Sequence, residues 1–169
     1  MSHRLSAALL LAAVLDIPVM LFARQTPAAH DHEAMMHRGE KRMGFSQTKT
    51  THHFLLKPDG GVIAVSANDA KDTETRDYIR THLTHIAHAF SAGDFDIPMF
   101  VHAQDPSGVP VMKRMSNEIH YQLRETDRGG EVTITTKSAE AVQAIHDFLT
   151  FQIREHKTGD PVSLPSAVH

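Results

Sequence analysis

Histidine and methionine are the residues of this sequence best suited to chemistry. The chain has 14 His, 8 Met and no Cys among its 169 residues. Imidazole binds Cu(II), Ni(II) and Zn(II), and thioether groups select Cu(I). Without cysteine, the chain can form no disulfide, thiolate metal site, iron–sulfur cluster or cysteine nucleophile. The composition therefore favours binding of copper, or of another divalent transition metal, through imidazole and thioether groups.

The first group of such residues lies in the polar segment HDHEAMMH at 30–37. This segment lacks a packed-core pattern, and we expect it to belong to a flexible His- and Met-rich leader over residues 29–50. A flexible leader can wrap around one ion, but it must be ordered at each binding event. The predicted ligands in the leader are His30, His32, Met35, Met36 and His37.

A second group consists of His82, His85 and His88, spaced three residues apart on a predicted helix. This spacing fans the side chains over roughly 120° of the helix surface, and neighbours can share one ion. Two imidazoles make a weak site, so a third ligand must come from elsewhere, and His102 is the candidate. The spacing differs from the H-E-x-x-H pattern of zinc metalloproteases. The alternative is a polar helix face that happens to contain histidine.

His102 also belongs to an alternative site for a small molecule or an enzymatic reaction. It lies close to Asp105 in sequence, and Met99 and Phe100 could line a pocket between this segment and a sheet. The sequence has no G-x-S-x-G elbow, no phosphate-binding G-x-x-x-x-G-K-[ST] loop and no G-x-G-x-x-G dinucleotide motif. We therefore expect a binding protein rather than an enzyme.

Two similar runs of sequence must position these residues. Each run contains two strand-like segments, joined by a turn with a Gly-Gly pair, and then a helix with one apolar stripe. We predict an α+β fold with a ββα–ββα pseudo-repeat, in which two helices cover one face of a four-stranded antiparallel sheet. Residues 97–115 link the halves and contain one helical turn at 110–115. The predicted strands and helices are 51–56, 62–67, 72–92, 118–124, 131–136 and 138–156.

The alternation of side chains along the predicted strands sorts several residues by face. His53 and Leu55 on the first strand, with His120 and Gln122 on the third, point away from the helices. If these strands are neighbours, His53 and His120 meet across the sheet. Such an uncovered face would suit a homodimer or another partner, which is an alternative function. His156 falls in the last turn of the second helix, where we expect a structural role at the helix dipole.

The N-terminus carries an apolar run at 5–23 that Asp16 and Pro18 interrupt. An Asp near the middle of a membrane span costs about 2.5–3.5 kcal/mol. A cleaved signal needs only a short apolar region and small residues before the cut. We therefore predict a signal peptide and export to the periplasm or the medium, with an uncleaved N-terminal membrane anchor as the alternative. The net charge of −3 does not indicate the basic surface that binding of nucleic acid requires.

These features divide the chain into four segments. We predict a signal peptide at 1–28, the leader at 29–50, one α+β domain at 51–160 and a loose tail at 161–169. The functional hypothesis is an exported protein that binds or handles copper.

Four stretches of residues 43–160 carry a resemblance to other proteins: MGFSQTKTTHHF at 43–54, DGG at 59–61, IRTHLTHIAHAFSAGDFDIPMFVH at 79–102 and AIHDFLTFQIREHKTGDP at 144–161. Through them, the sequence resembles an uncharacterised family of small exported bacterial proteins. Some members carry the label aspartate carbamoyltransferase, which looks like a propagated error. A transcarbamoylase needs two sizeable domains and a phosphate-binding Ser-Thr-Arg-Thr-Arg segment, and this sequence has neither. The resemblance therefore implies a shared exported domain and assigns no functional residues.

Overall fold

The computed structural model describes residues 32–165, so the predicted signal peptide and His30 lie outside the described residues. Within this range, no helix is long and apolar enough to span a membrane. Short 3-10 turns at Gln47–Lys49 and Ser116–Glu118 precede β1 and β3. The bounds of the other elements are α1 His32–Met43, β1 Thr50–Lys57, β2 Gly60–Ala67, α2 Thr73–Ser91, α3 Asp96–His102, α4 Val109–Arg114, β3 Ile119–Thr126, β4 Gly129–Thr136 and α5 Ala139–His156.

The four strands form one antiparallel sheet in the order β1-β2-β4-β3. The strands β1 and β2 make one hairpin, and β3 and β4 make the other. The two hairpins join through β2 and β4, where Ile63 pairs with Val132. The predicted α+β class and four-stranded antiparallel sheet are confirmed, whereas the pseudo-repeat stays an interpretation of the sequence.

This strand order corrects the expectation that β1 and β3 could be neighbours. They lie at opposite edges of the sheet, so His53 and His120 do not meet across it. The burial of the strands gives the physical reason. Most residues of β2 and β4 are buried, whereas β1 and β3 alternate with exposed side chains. Strands that carry little exposed polar surface occupy the centre of a sheet, and polar strands take its edges.

The helices α2 and α5 supply the other side of the core. The helix α2 contacts β2, β3 and β4, and α5 contacts β1, β2 and β4. Each helix begins at the capping residue expected from the sequence. The Asp72 side chain accepts a hydrogen bond from Thr75 N, and the Ser138 side chain accepts one from Ala141 N. The apolar stripe of α2 is buried as predicted, at Ile79, Leu83, Ile86 and Phe90.

The Gly-Gly pair of the first hairpin permits close packing. Gly60 has φ of 146°, and a Cβ there would overlap the carbonyl oxygen of Ile134 on β4. A Cβ on Gly61 would overlap the Leu149 side chain on α5. Gly60 thus provides a positive φ, whereas Gly61 lets α5 and the sheet approach each other.

The leader differs most from its predicted form. Residues 32–43 form α1, and Met35 is only 2% exposed, within the main core. The helix packs mainly against α3, and Arg38 Nε donates a hydrogen bond of 2.8 Å to Val101 O. The expectation of a flexible leader is therefore wrong for these residues. Gly39 is buried, but it interrupts the apolar pattern between Met35 and Met43 because it has no side chain. The sequence therefore conceals the helix.

The segment between the halves also contains more helix than expected. The helix α4 at Val109–Arg114 matches the predicted turn, but α3 at Asp96–His102 lies where we expect a loop. Pro98 suggests the loop, yet it occupies the first turn of α3, where a missing N–H is tolerated. Ala103, with φ of 53°, then ends the helix. This short helix carries His102 into the core.

Candidate functional site

A small cavity lies where four histidines from four elements converge. His52 comes from β1, His82 from α2, His102 from α3 and His156 from α5. The cavity has a volume of about 70 Å³. Ligand pockets for drug-sized molecules measure roughly 300–1,000 Å³, whereas a cavity needs about 10–15 Å³ to hold one water. The cavity therefore suits a very small occupant.

Apart from the histidines, the walls are almost entirely apolar. Gln152 is the only lining residue with a side-chain amide, and Met43 provides a thioether. None of the lining residues is Asp, Glu, Lys or Arg. The remaining lining residues are Phe54, Ile63, Val65, Leu83, Ile86, Phe90, Ile97, Pro98, Val101 and Phe148.

His52 and His82 form one side of the cluster, and Phe45 touches both. The Phe45 ring stacks on His52 at a centroid distance of 6.4 Å and meets the edge of His82 at 5.8 Å. Burial lowers the pKa of His52 to about 4, and the neighbouring His53 adds to the effect. Burial likewise lowers the pKa of His82 to about 4, with smaller effects from His52 and His85. Both rings are therefore neutral at pH 7.

His102 is the most deeply buried histidine of the cluster, at 1% exposure. Its Nε2 donates a hydrogen bond of 2.9 Å to Gln152 Oε1. Its Nδ1 is buried without a hydrogen-bond partner, and Glu155 Oε2 is 3.7 Å away. Burial lowers the pKa of His102, and the contacts with Gln152 and Glu155 oppose it only in part. The neutral ring therefore carries its lone pair on Nδ1.

His156 lies at the centre of the cluster. Its ring stacks with His52 at a centroid distance of 5.7 Å and an interplanar angle of 18°. It meets His102 at 5.1 Å in a T-shaped contact and Phe54 at 5.4 Å. The structural role that the sequence suggests for His156 at the end of α5 does not account for these three contacts. His156 links the strand side of the cavity to α3.

The predicted fan on α2 does not come together as one site. His82 lines the cavity, as does His102, but His85 and His88 are exposed and do not. In the described residues, no three His, Asp or Glu side chains stand ready to hold a metal ion. The reason is geometric, because a spacing of three residues turns the later side chains away from the apolar face.

The predicted leader ligands are also dispersed where the structure describes them. Met35 is buried in the core, Met36 is half-buried and His37 is exposed. His32 begins α1. Met35 faces the core whereas His37 faces solvent, so the helix directs these two side chains to different surroundings. Met43, at the other end of α1, reaches the cavity instead.

The alternative site around His102 coincides only in part with the cavity. The cavity lies where α3 packs over the sheet, but Phe100 is 49% exposed and Asp105 is exposed. Neither these two residues nor Met99 line it. The lining side chains of α3 are its buried ones, such as Val101, because an amphipathic helix turns only one face inward.

The residues proposed for a partner interface lie on the outer side of the sheet. His53 is half-exposed and His120 and Gln122 are exposed, on opposite edge strands. His53 Nδ1 donates a hydrogen bond of 2.9 Å to Asp160 Oδ1, and Leu55 is half-buried. Homodimerisation through this face stays a prediction.

Sequence reasoning missed His52 and His156 as site residues. The available signal was their position, because each lies on the predicted inner face of its element. An imidazole on an apolar face is a polar group that must find a partner or a ligand.

Comparison with known proteins adds no assignment. No protein-family model, curated protein or solved structure matches this chain.

Proposed function

We propose that this protein is an exported metal-binding protein whose site is the histidine-lined cavity, with copper as the first candidate metal. The observation that supports the proposal is the convergence of His52, His82, His102 and His156 on one cavity of about 70 Å³. Imidazole suits late first-row metals. Chance placement of polar side chains on the apolar faces of four separate elements would carry a desolvation cost at each position.

The size of the cavity favours a metal ion over an organic ligand. A volume of about 70 Å³ holds several waters, since a cavity needs about 10–15 Å³ for one. A metal ion with its bound waters fits this space. Because no three ligand groups stand ready, binding requires rotation of at least one imidazole ring. The centroid of the His156 ring already lies 5.7 Å from that of His52 and 5.1 Å from that of His102.

Export is supported by the N-terminal sequence alone. The apolar run at 5–23 and the small residues before position 29 have the pattern of a signal peptide. The absence of cysteine suits an oxidising compartment.

Two measurements test the metal proposal. Elemental analysis of the protein purified from the exported fraction should find copper or another transition metal. Calorimetric titration of the metal-free full chain should give a dissociation constant well below micromolar. His156→Gln should weaken binding at least tenfold, because it removes the central ring. His85→Gln is the matched control, because His85 is exposed and lies outside the cavity.

Two results would overturn the proposal. One is an affinity no better than millimolar for every metal tested. The other is binding that survives His156→Gln and disappears when residues 30–37 are removed, which would place the site in the N-terminal segment.

A further inference from the structure

We infer that the cavity selects Cu(I) over divalent ions, with His102 and His156 as the imidazole pair and Met43 as a thioether donor. The inference rests on the proposed metal-binding function and specifies the oxidation state and ligands of the same site. Three features of the cavity lead to it: its charge, its donor types and the arrangement of its rings.

The charge of the surroundings favours a monovalent ion. No Asp, Glu, Lys or Arg side chain lines the cavity, and its walls are mostly apolar. The cost of moving an ion into a medium of low dielectric constant rises with the square of its charge, and it is already large for a single charge. The carboxylate of Glu155, 3.7 Å from His102 Nδ1, can balance one positive charge. A divalent ion would retain an unbalanced charge in an apolar site.

The donor types point in the same direction. Met43 is half-buried against the core and lines the cavity. Thioether sulfur is a soft ligand that suits Cu(I), whereas protein zinc sites use thiolate, imidazole and carboxylate ligands. Structural zinc sites are tetrahedral and take four Cys, His or carboxylate ligands. In the described part of the chain, no set of even three His, Asp or Glu groups stands ready. Cu(I) accepts a linear pair or a trigonal set of donors, so it needs fewer.

The arrangement of the rings identifies the imidazole pair. His52 and His156 lie nearly parallel, with an interplanar angle of 18° and ring centroids 5.7 Å apart. His102 and His156 meet edge to face at 5.1 Å. His102 Nδ1 is buried without a hydrogen-bond partner, while its Nε2 is held by Gln152. Metal-ligating histidines commonly donate their second N–H in this way, which fixes the tautomer and the ring orientation.

Anaerobic titration distinguishes the oxidation states. The metal-free full chain competes with a chromophoric Cu(I) chelator, and parallel titrations use Zn(II) and Cu(II). We expect Cu(I) to bind at least 100-fold more tightly than Zn(II). Met43→Leu should weaken Cu(I) binding at least tenfold and leave Zn(II) binding unchanged. Met115→Leu is the matched control, because Met115 is also half-buried against the core but lies outside the cavity.

X-ray absorption at the copper edge supplies a measurement that needs no variant. The Cu(I)-loaded wild-type protein should show one sulfur and imidazole nitrogens as nearest neighbours. Equal or tighter binding of Zn(II) or Cu(II), or a Cu(I) site without sulfur, would overturn the inference and leave the proposed metal-binding function intact. Absence of any metal binding would overturn both.

Discussion

At the scale of single residues, burial rather than ion pairing sets the protonation state of the cavity histidines. His52 and His82 have pKa values of about 4 because the charged imidazolium is poorly solvated there. His53 and His85 lower these values further, since each places a second imidazole close by. Neutral imidazoles are acceptors and ligands, so this environment holds them in the form that the proposed site requires.

The lowered pKa values make the metal-free protein sensitive to acid. In the unfolded chain both histidines protonate near pH 6.5, whereas in the folded protein they do so near pH 4. The unfolded state therefore binds more protons between these values. Their contribution to stability is complete above about pH 6.5 and is lost as the pH falls towards 4, by on the order of 3 kcal/mol per histidine.

Urea unfolding at several pH values between 4 and 7.5 measures this loss. His82→Gln should reduce the dependence of the unfolding free energy on pH, because one of the two groups is removed. His120→Gln should not, because His120 is exposed on β3. NMR titration of the rings gives a direct check, and midpoints near pH 6.5 for His52 and His82 would contradict the prediction.

The sequence predicts the face of each of these residues but not their proximity. The alternation of β1 puts His52 on the side of Phe54, and the period of α5 puts His156 on its apolar stripe. These patterns describe one element at a time. The contact between the two rings depends on α5 packing against β1, which follows from the tertiary structure alone.

At the scale of elements, Asp160 fastens the segment after α5 to the edge strand β1. One carboxylate oxygen accepts a hydrogen bond of 2.9 Å from Phe54 N, and the other accepts one from His53. Thr158 Oγ1 donates a third. Burial raises the pKa of Asp160, but the hydrogen bonds from Thr158, Phe54 and His53 outweigh it, and the pKa lies below its usual value. The carboxylate thus covers an N–H of the sheet edge.

Asp160→Asn should destabilise the protein by about 1–3 kcal/mol, since hydrogen bonds to a charged acceptor are lost at a buried position. Urea unfolding at pH 7 measures the change, and the exchange rate of the Phe54 amide should rise. Asp105→Asn is the control, because Asp105 is exposed. An unchanged exchange rate at Phe54 would show that the carboxylate does not hold this strand in solution.

The helices α2 and α5 have 19 and 18 residues, so their apolar stripes repeat often enough to be predicted, whereas α1 and α3 have only 12 and 7 residues. The helix α3 has only seven residues and contains Pro98, and α1 has a glycine on its buried face. Both helices are stabilised by contact with one another in addition to the few buried side chains that each contributes. Such mutual stabilisation leaves little trace in either sequence segment.

At the scale of the whole molecule, the cavity depends on every layer of the fold. The sheet provides His52, the two long helices provide His82 and His156, and α3 provides His102. The composition alone indicates imidazole chemistry without thiols. It does not indicate which of the 14 histidines meet, because their separation along the chain is large and their union requires the complete fold.

The central pairing of β2 with β4 also has a kinetic consequence. Each hairpin closes through a two-residue turn, and such hairpins form in about 1–10 μs. The union of the halves brings Ile63 to Val132, and pairing of residues so distant in sequence is slow.

Ile63→Val should therefore slow refolding, whereas Ile153→Val near the end of α5 should mainly accelerate unfolding. Both residues are buried isoleucines, and stopped-flow measurements in urea would contradict this assignment if the two effects were reversed. Until the halves meet, the chain exposes two unpaired central strand edges, and in that interval it is most open to pairing with other chains.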